Sequence, residues 1–226
     1  MNAINLDDYG GPQAFSWTHE YLVNYLTIGK HRIVKQPLLK NAFRKIRRDD
    51  FVPQEVKQYA FEDRELEIGY GEVINKPTEV AQMLGMLKPQ FGGKFLDIGT
   101  GSGWVAALLA MAAGEDGEVY SLERVQFLVD IARLNLQKYP NVSNVRVIFR
   151  DGSKGLKDYA QYDGIHIAAA YKEVPEDIAI QLKIGGRLVV PTLEKDIRLI
   201  ERKSEDEFDE TTHKGYFFKA IEEGVR

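Results

Sequence analysis

The sequence predicts an α/β fold, a doubly wound and mostly parallel seven-stranded sheet preceded by a helical N-terminal extension. Three observations carry this expectation. From residue 94 onward, short apolar runs alternate with longer stretches of helical spacing. The first run, KFLDI (94–98), breaks into glycines at 99, 101 and 103. The next two runs end on acidic residues, Glu123 and Asp151. Right-handed crossovers between parallel strands gather such ends on one side of the sheet, where ligands bind.

The elements follow in order. Residues 1–65 read as the helical extension and 66–226 as the main domain. Within the extension, Leu38, Leu39, Ala42, Phe43 and Ile46 share one helix face. The nearby Arg44, Lys45, Arg47 and Arg48 read as a solvated basic face, and Pro53 closes the segment. Asp63 and Glu65 read as solvated. After KFLDI, Trp104–Ala113 is a helix, with Trp104 either shielding a ligand or packed as a half-buried aromatic. EVYSLE (118–123) is a strand. Val125, Leu128, Val129, Ala132, Leu136 and Tyr139 form a helical stripe. VRVIFR (145–150) and YDGIHIA (162–168) are strands, with His166 packed inside the second. A helix is expected from Pro175 to Leu182, then a strand at GRLVVP (186–191). Two weaker strands, Arg198–Glu201 and Tyr216–Phe218, flank an acidic loop, SEDEFDE (204–210).

Composition narrows the function. The 226 residues carry a net charge of −4, so no overall positive field draws nucleic acid to the protein. With no cysteine there is no disulfide, thiolate zinc site or thiol nucleophile. Four scattered histidines make no close pair, and no metal is expected. The N-terminus has no basic-then-apolar leader, and the apolar run 104–113 is too short to span a bilayer. A cytoplasmic, monomeric protein acting without membrane or nucleic acid is expected.

LDIGTGSGW (96–104) names the ligand class. A dinucleotide turn of the G-x-G-x-x-G type needs glycine at 104, where this chain has Trp. Asp97 before the turn would repel a pyrophosphate and suits a ligand with a cationic amino acid part. Glu123 can take both hydroxyls of a ribose, and Asp151 can face an adenine amino group. Together they fit a nucleoside carrying a sulfonium and an amino acid, S-adenosyl-L-methionine, with S-adenosyl-L-homocysteine as product. The plainer alternative is three acids capping helices at strand–helix loops. Trp104 and Asp97 also argue against an NAD-dependent oxidoreductase.

Over roughly residues 20–195 the chain resembles the protein-L-isoaspartate O-methyltransferases. RRDDFVP (47–53) looks like the family's V-P-R-x-x-F-V-P stretch, and Tyr59 and Asp63 fall near its Tyr/Asp pair. LEIGYGEVINKPTEVAQM (66–83) is similar to the signature loop L-x-I-G-x-G-Q-T-I-S-x-P. LDIGTGSGW matches the cofactor glycine motif, and RDGSKGLKDYAQYDGIHIAAA (150–170) and QLKIGGRLVVP (181–191) match later family runs. The resemblance implies the class I S-adenosylmethionine-dependent methyltransferase fold. It also implies carboxyl methylation of L-isoaspartyl residues in damaged proteins, with protein or peptide substrates bearing the carboxylate acceptor. By resemblance, Asp97, Gly99, Gly101, Ser102 and Gly103 meet the cofactor's methionine part. Glu123, Arg124, Val125 and Leu128 hold the ribose and one adenine face, and Asp151, Gly152 and Ser153 hold the adenine edge. Ile74 and Asn75 lie in the loop over the reactive methyl, and Ala168, Ala169 and Ala170 line the peptide groove.

The loop departs from the family at its centre. Asn75 stands where the family has the serine taken as its active-site residue, and Glu72 and Val73 replace Gln and Thr. Glu72 brings a negative charge near the expected place of an anionic substrate. Three outcomes follow from these residues: isoaspartyl methylation with Asn75 as donor, methylation of another carboxylate such as a normal aspartyl residue of a partner peptide, or a third in which the protein binds the cofactor with little turnover or acts on another substrate class. A transfer RNA adenine methyltransferase shares the cofactor core, but the net charge opposes it. The C-terminal GYFFKAIEEG (215–224) also departs from the family's final strand.

Overall fold

The computed structural model describes residues 17–28 and 32–226. Residues 1–16 of the expected helical extension, and His31, lie outside them. Helices α1 (His19–Thr27) and α2 (Pro37–Lys45) come first, followed by short 3-10 turns at Arg48–Asp50 and Gln54–Tyr59. The hairpin β1 (Leu66–Gly69) and β2 (Glu72–Ile74) leads into α3 (Pro77–Leu87). The alternating region comprises β3 (Lys94–Ile98), α4 (Trp104–Ala113), β4 (Glu118–Glu123), α5 (Gln126–Leu136), β5 (Val145–Phe149) and β6 (Tyr162–Ile167). It is completed by α6 (Glu176–Ala179), β7 (Leu182–Thr192), β8 (Asp196–Arg202) and β9 (Phe208–Lys214).

The seven strands run in the order β5-β4-β3-β6-β7-β8-β9. The first five are parallel, and β8 and β9 pair antiparallel at one edge. The chain reverses its direction of travel across the sheet between β3 and β6. Loops leaving these neighbours diverge and open a crevice above their carboxyl ends.

Alternate side chains of each strand feed two apolar layers. Phe95, Val119, Val147 and Val189 face a core built with α1 to α5, whereas Leu96, Ile98, Tyr120 and Ile165 face a second core with α6. Helix α4 is apolar all round, as its WVAALLAMAA sequence requires for a helix sandwiched between other elements. The sheet lies on one side and α2 on the other, where Phe43 meets Trp104 edge-on with ring centroids 5.9 Å apart.

Several expectations need correction. The segment 66–83 is a hairpin followed by a helix. Its turn places Gly69, Tyr70 and Gly71 in the left-handed region, where two glycines remove most of the strain. The helix expected over 175–182 shrinks to α6, because β7 already begins at Leu182 and pairs with Tyr162. The last strand is Phe208–Lys214, overlapping the stretch read as an acidic loop, and 216–218 is not a strand. As an edge strand, β9 needs no buried face and is held by cross-strand charges. Glu210 pairs with Arg198, and Asp209 lies 3.1 Å from Lys203. The backbone N–H groups of Gly215 and Tyr216 then donate to the Lys195 carbonyl, and Tyr216 and Phe218 pack on the larger core.

Leu109, fully buried in α4, tests this layering. Leu109→Ala should lower stability to urea unfolding by about 3 kcal/mol, the usual cost of such a cavity. A loss below about 1 kcal/mol would mean that the helix is not sandwiched as described.

Candidate active site

The crevice above β3, β4 and β6 opens into a cleft with a volume of about 110 Å³, open to solvent at its mouth. Its floor is the glycine turn after β3. Gly99, Gly101 and Gly103 have φ of +93°, +53° and +100°. A Cβ at Gly99 would sit 3.0 Å from that of Ala168, so the turn also needs glycine for space. Glu123 staples the turn from the end of β4: Gly101 N–H donates to its Oε2 at 2.8 Å and Val125 N–H to its Oε1 at 2.9 Å. Burial raises the Glu123 pKa, and the N–H donors from Val125, Gly101 and Arg124 moderate that rise. Glu123 still forms part of the cleft wall.

Asp97 lies beneath the floor. It is fully buried and does not line the cleft. Ser121 Oγ donates to its Oδ2 at 2.7 Å, and His166 Nδ1 lies 2.8 Å from its Oδ1. Thr100 Oγ1 is 2.6 Å from Ser121 Oγ, which ties the glycine turn into the same network. His166 is therefore more than a packed strand residue.

Of the residues assigned from the sequence, Asn75, Gly99, Gly101, Glu123, Arg124, Gly152, Ser153, Ala168 and Ala169 line the cleft together. Asp151 does not itself line the cleft but borders it, between the lining residues Arg150 and Gly152; Ser153 N–H donates to its Oδ1 at 2.8 Å and Gly224 N–H to its Oδ2 at 2.6 Å. Burial alone would raise the Asp151 pKa, but these donors and the nearby Arg124 hold it below the usual carboxylate range. Gly152 lacks room for a side chain, since its Cβ would come within 2.7 Å of Ile98. The others stand back from the cleft, for separate reasons. Ile74 and Ser102 face a smaller adjoining crevice, together with Trp104. Gly103 backs onto Ala132, while Val125 and Leu128 belong to the core. Ala170 is buried by its bridge to Ala220. Trp104 is likewise buried rather than half-buried.

Two features were not legible in the sequence. The first is Arg48, assigned to a solvated face but fully buried. Its Nη1 donates to the Ala60 and Glu62 carbonyls, and its Nη2 to those of Arg64, Ile74 and Asn75. The guanidinium carbon lies 5.4 Å from the Trp104 ring centroid. Burial lowers the Arg48 pKa to about 9, so it remains charged at neutral pH. Asn75 in turn donates from Nδ2 to the Ala168 carbonyl at 3.3 Å. Asp63 is also engaged, accepting from Thr78 N–H and Oγ1 at 2.9 Å where α3 begins.

The second is the C-terminal segment 219–226, which crosses the mouth. Glu72 is met there by Lys219 Nζ at 3.2 Å and Arg226 Nη2 at 2.7 Å, so its negative charge is offset. Arg124 Nη1 donates to Glu222 at 2.7 Å. Backbone bonds fasten both ends: Ala170 N–H to the Lys219 carbonyl, Ile221 N–H to the Ala170 carbonyl, and Arg226 N–H to the Arg124 carbonyl, each 2.8 Å. The sequence signals no partner for these charges.

The strand order, the glycine turn leaving β3 and the acid ending β4 define a class I S-adenosylmethionine-dependent methyltransferase. Residues 18–224 match the family model of protein-L-isoaspartate(D-aspartate) O-methyltransferase, and the chain belongs to that family. A protein-L-isoaspartate O-methyltransferase of Methanocella arvoryzae is 42% identical over 161 residues, covering 70% of this chain and 85% of the relative. A solved protein-L-isoaspartate O-methyltransferase superposes with a TM-score of 0.78 at 27% identity, over 91% of this chain and 66% of the solved one. A Plasmodium falciparum structure solved with S-adenosyl-L-homocysteine shares the fold, with a TM-score of 0.77 at 21% identity over 90% of this chain and 98% of that one.

Ser121→Ala tests the buried network. It leaves Asp97 and Thr100 each short of a partner and should cost about 1–3 kcal/mol of unfolding free energy. An unchanged urea midpoint would show that the network does not brace the floor.

Proposed function

We propose that this chain methylates the α-carboxylate of L-isoaspartyl residues in protein or peptide substrates, using the cleft residues described above. The observation that carries this reading is the convergence of Asn75, Glu123 and the glycine turn on one cleft. The donor set fits S-adenosyl-L-methionine: a cleft-facing carboxylate for ribose hydroxyls, a rim carboxylate for an adenine amino group, and a floor without side chains at Gly99 and Gly101. When bound, the cofactor supplies an activated methyl group on a positively charged sulfur.

The protein's own part is to bind and orient. Glu123 would hold the ribose, since its two oxygens accept backbone N–H groups from Gly101, Val125 and Arg124 and still leave lone-pair capacity for a hydroxyl. Asp151 would accept from the adenine edge. Asn75 Nδ2 would donate to the acceptor carboxylate beside the Ala168–Ala169 wall. The acceptor has a pKa of roughly 4 and is already ionised at neutral pH, so no residue need act as a base. A neutral amide suits this task, because a full cation would hold the carboxylate's electrons back from attack. With Lys219 and Arg226 on Glu72, the mouth does not repel an anion. Alignment of the two reactants is then the main source of rate, and can supply several kcal/mol. We read residues 66–226 as the methyltransferase domain with the preceding segment packed on it, and the protein as a cytoplasmic monomer acting on proteins rather than nucleic acids.

The deciding experiment is labelled methyl transfer to a matched pair of peptides, one isoaspartyl and one aspartyl. Label on the isoaspartyl peptide alone is expected. Label on the aspartyl peptide would mean that the changed loop has changed the acceptor, and label on neither would overturn the activity.

The raised pKa of Glu123 gives a pH signature. Ribose binding favours the ionised form, so affinity is complete above the pKa of the free protein and falls as pH drops through it. Calorimetry with S-adenosyl-L-homocysteine should show the fall beginning above the ordinary glutamate range. Glu123→Gln should bind at least about tenfold more weakly at neutral pH, 1.4 kcal/mol, with that step removed. The same acid limb in the variant would exclude Glu123 as the ribose acceptor.

A further inference from the structure

We infer that Arg48 is a positioning residue for methyl transfer, setting the orientation of Asn75 through the backbone of the loop that carries it. This rests on the reading of Asn75 as the acceptor's donor.

The argument starts from the partners of the guanidinium. Among the described residues its Nη atoms meet only carbonyl oxygens, in two groups: 60–64 before the hairpin, and 74–75 after it. Among the described residues no carboxylate pairs with it directly. Five carbonyls turn toward it; that of Glu62 also accepts from Arg64 N–H at 2.9 Å, and removing the guanidinium would take a donor from all five. A planar fork can satisfy both groups at once, which the compact ammonium of lysine cannot.

The bond to the Asn75 carbonyl, 3.0 Å, has a particular consequence. It fixes the peptide plane directly after Asn75, while the Ile74 carbonyl at 3.3 Å fixes the plane directly before it. With both planes held, the direction of the Asn75 Cα–Cβ bond is set, and the contact of Nδ2 with the Ala168 carbonyl across the cleft selects the rotamer. Downstream, Asp63 anchors Thr78 at the start of α3, so the loop has little slack. Trp104 seals the other side of the guanidinium from the first residue of α4. No Arg48 hydrogen bond goes to Glu123, Asp151 or the glycines at 99, 101 and 103, so the effect should fall on the acceptor side of the reaction.

The test uses Arg48→Lys and Arg48→Met, with Asn75→Ala and the doubles. Three quantities are read: kcat and KM on the isoaspartyl peptide, S-adenosyl-L-homocysteine affinity by calorimetry, and amide hydrogen exchange. The expected result is a kcat about tenfold or more lower in both Arg48 variants, as loss of alignment entails. Cofactor affinity should stay within about twofold, and exchange should quicken at 72–76 while β3 and β4 stay protected. The doubles should be no more than about twofold slower than Asn75→Ala alone, the non-additivity of residues acting in series. Additive losses, an unchanged kcat, or loss of folding or cofactor affinity in both Arg48 variants would overturn the inference, leaving Arg48 a structural residue. An Asn75→Ala variant with unchanged turnover would instead overturn the reading of Asn75, and the inference with it.

Discussion

The contact between Asp97 and His166 spans the place where the sheet reverses its winding. These residues are register partners on β3 and β6, the two strands whose loops diverge to form the cleft. A carboxylate buried at that place is costly unless its partners are in place, and here Ser121 supplies a further bond from β4. Thr100 carries the network into the glycine turn. Three strands and the turn thus share one set of buried polar bonds, and a shift in any of them would leave others unpaired. The floor of the site inherits its geometry from this arrangement.

The mouth is made differently. Its bonds are largely exposed ion pairs and backbone contacts of the 219–226 segment, on Glu72 and Arg124. Pairs of this kind contribute little to stability and are screened by salt. The hairpin loop lies between the two regimes, with Arg48 buried behind it and charges in front. The part that faces the cofactor is the most constrained, and the part a substrate would cross is the least.

The strands β3 and β4 and the helix α4 were legible because their sequences carry mostly apolar runs closed by glycine or by an acid. Glu123 was legible for the same reason, since a strand end at a crossover has a known place in space. Arg48 was not. A basic residue after an amphipathic helix normally points to water, and only the return of residues 60–64 and 74–75 around it supplies carbonyls to bury it. Asp97 was read as meeting the cofactor but lies beneath the floor, since its pairing with Ser121 and His166 depends on strand register that one sequence does not reveal. The edge strand β9 was missed because charges across a strand pair, rather than apolar alternation, hold it there. Asn75 was conspicuous only through resemblance; its contact with Ala168 belongs to the fold.

The Gly224 amide on Asp151 joins the end of the chain to the loop that follows β5. A carboxylate oxygen can accept more than one hydrogen bond, so that amide leaves Oδ2 room for a further donor. If Asp151 takes the adenine edge as proposed, the base and the C-terminal segment would share one oxygen. The two would then be held in step, and a change at the end of the chain would be felt at the base end of the cleft.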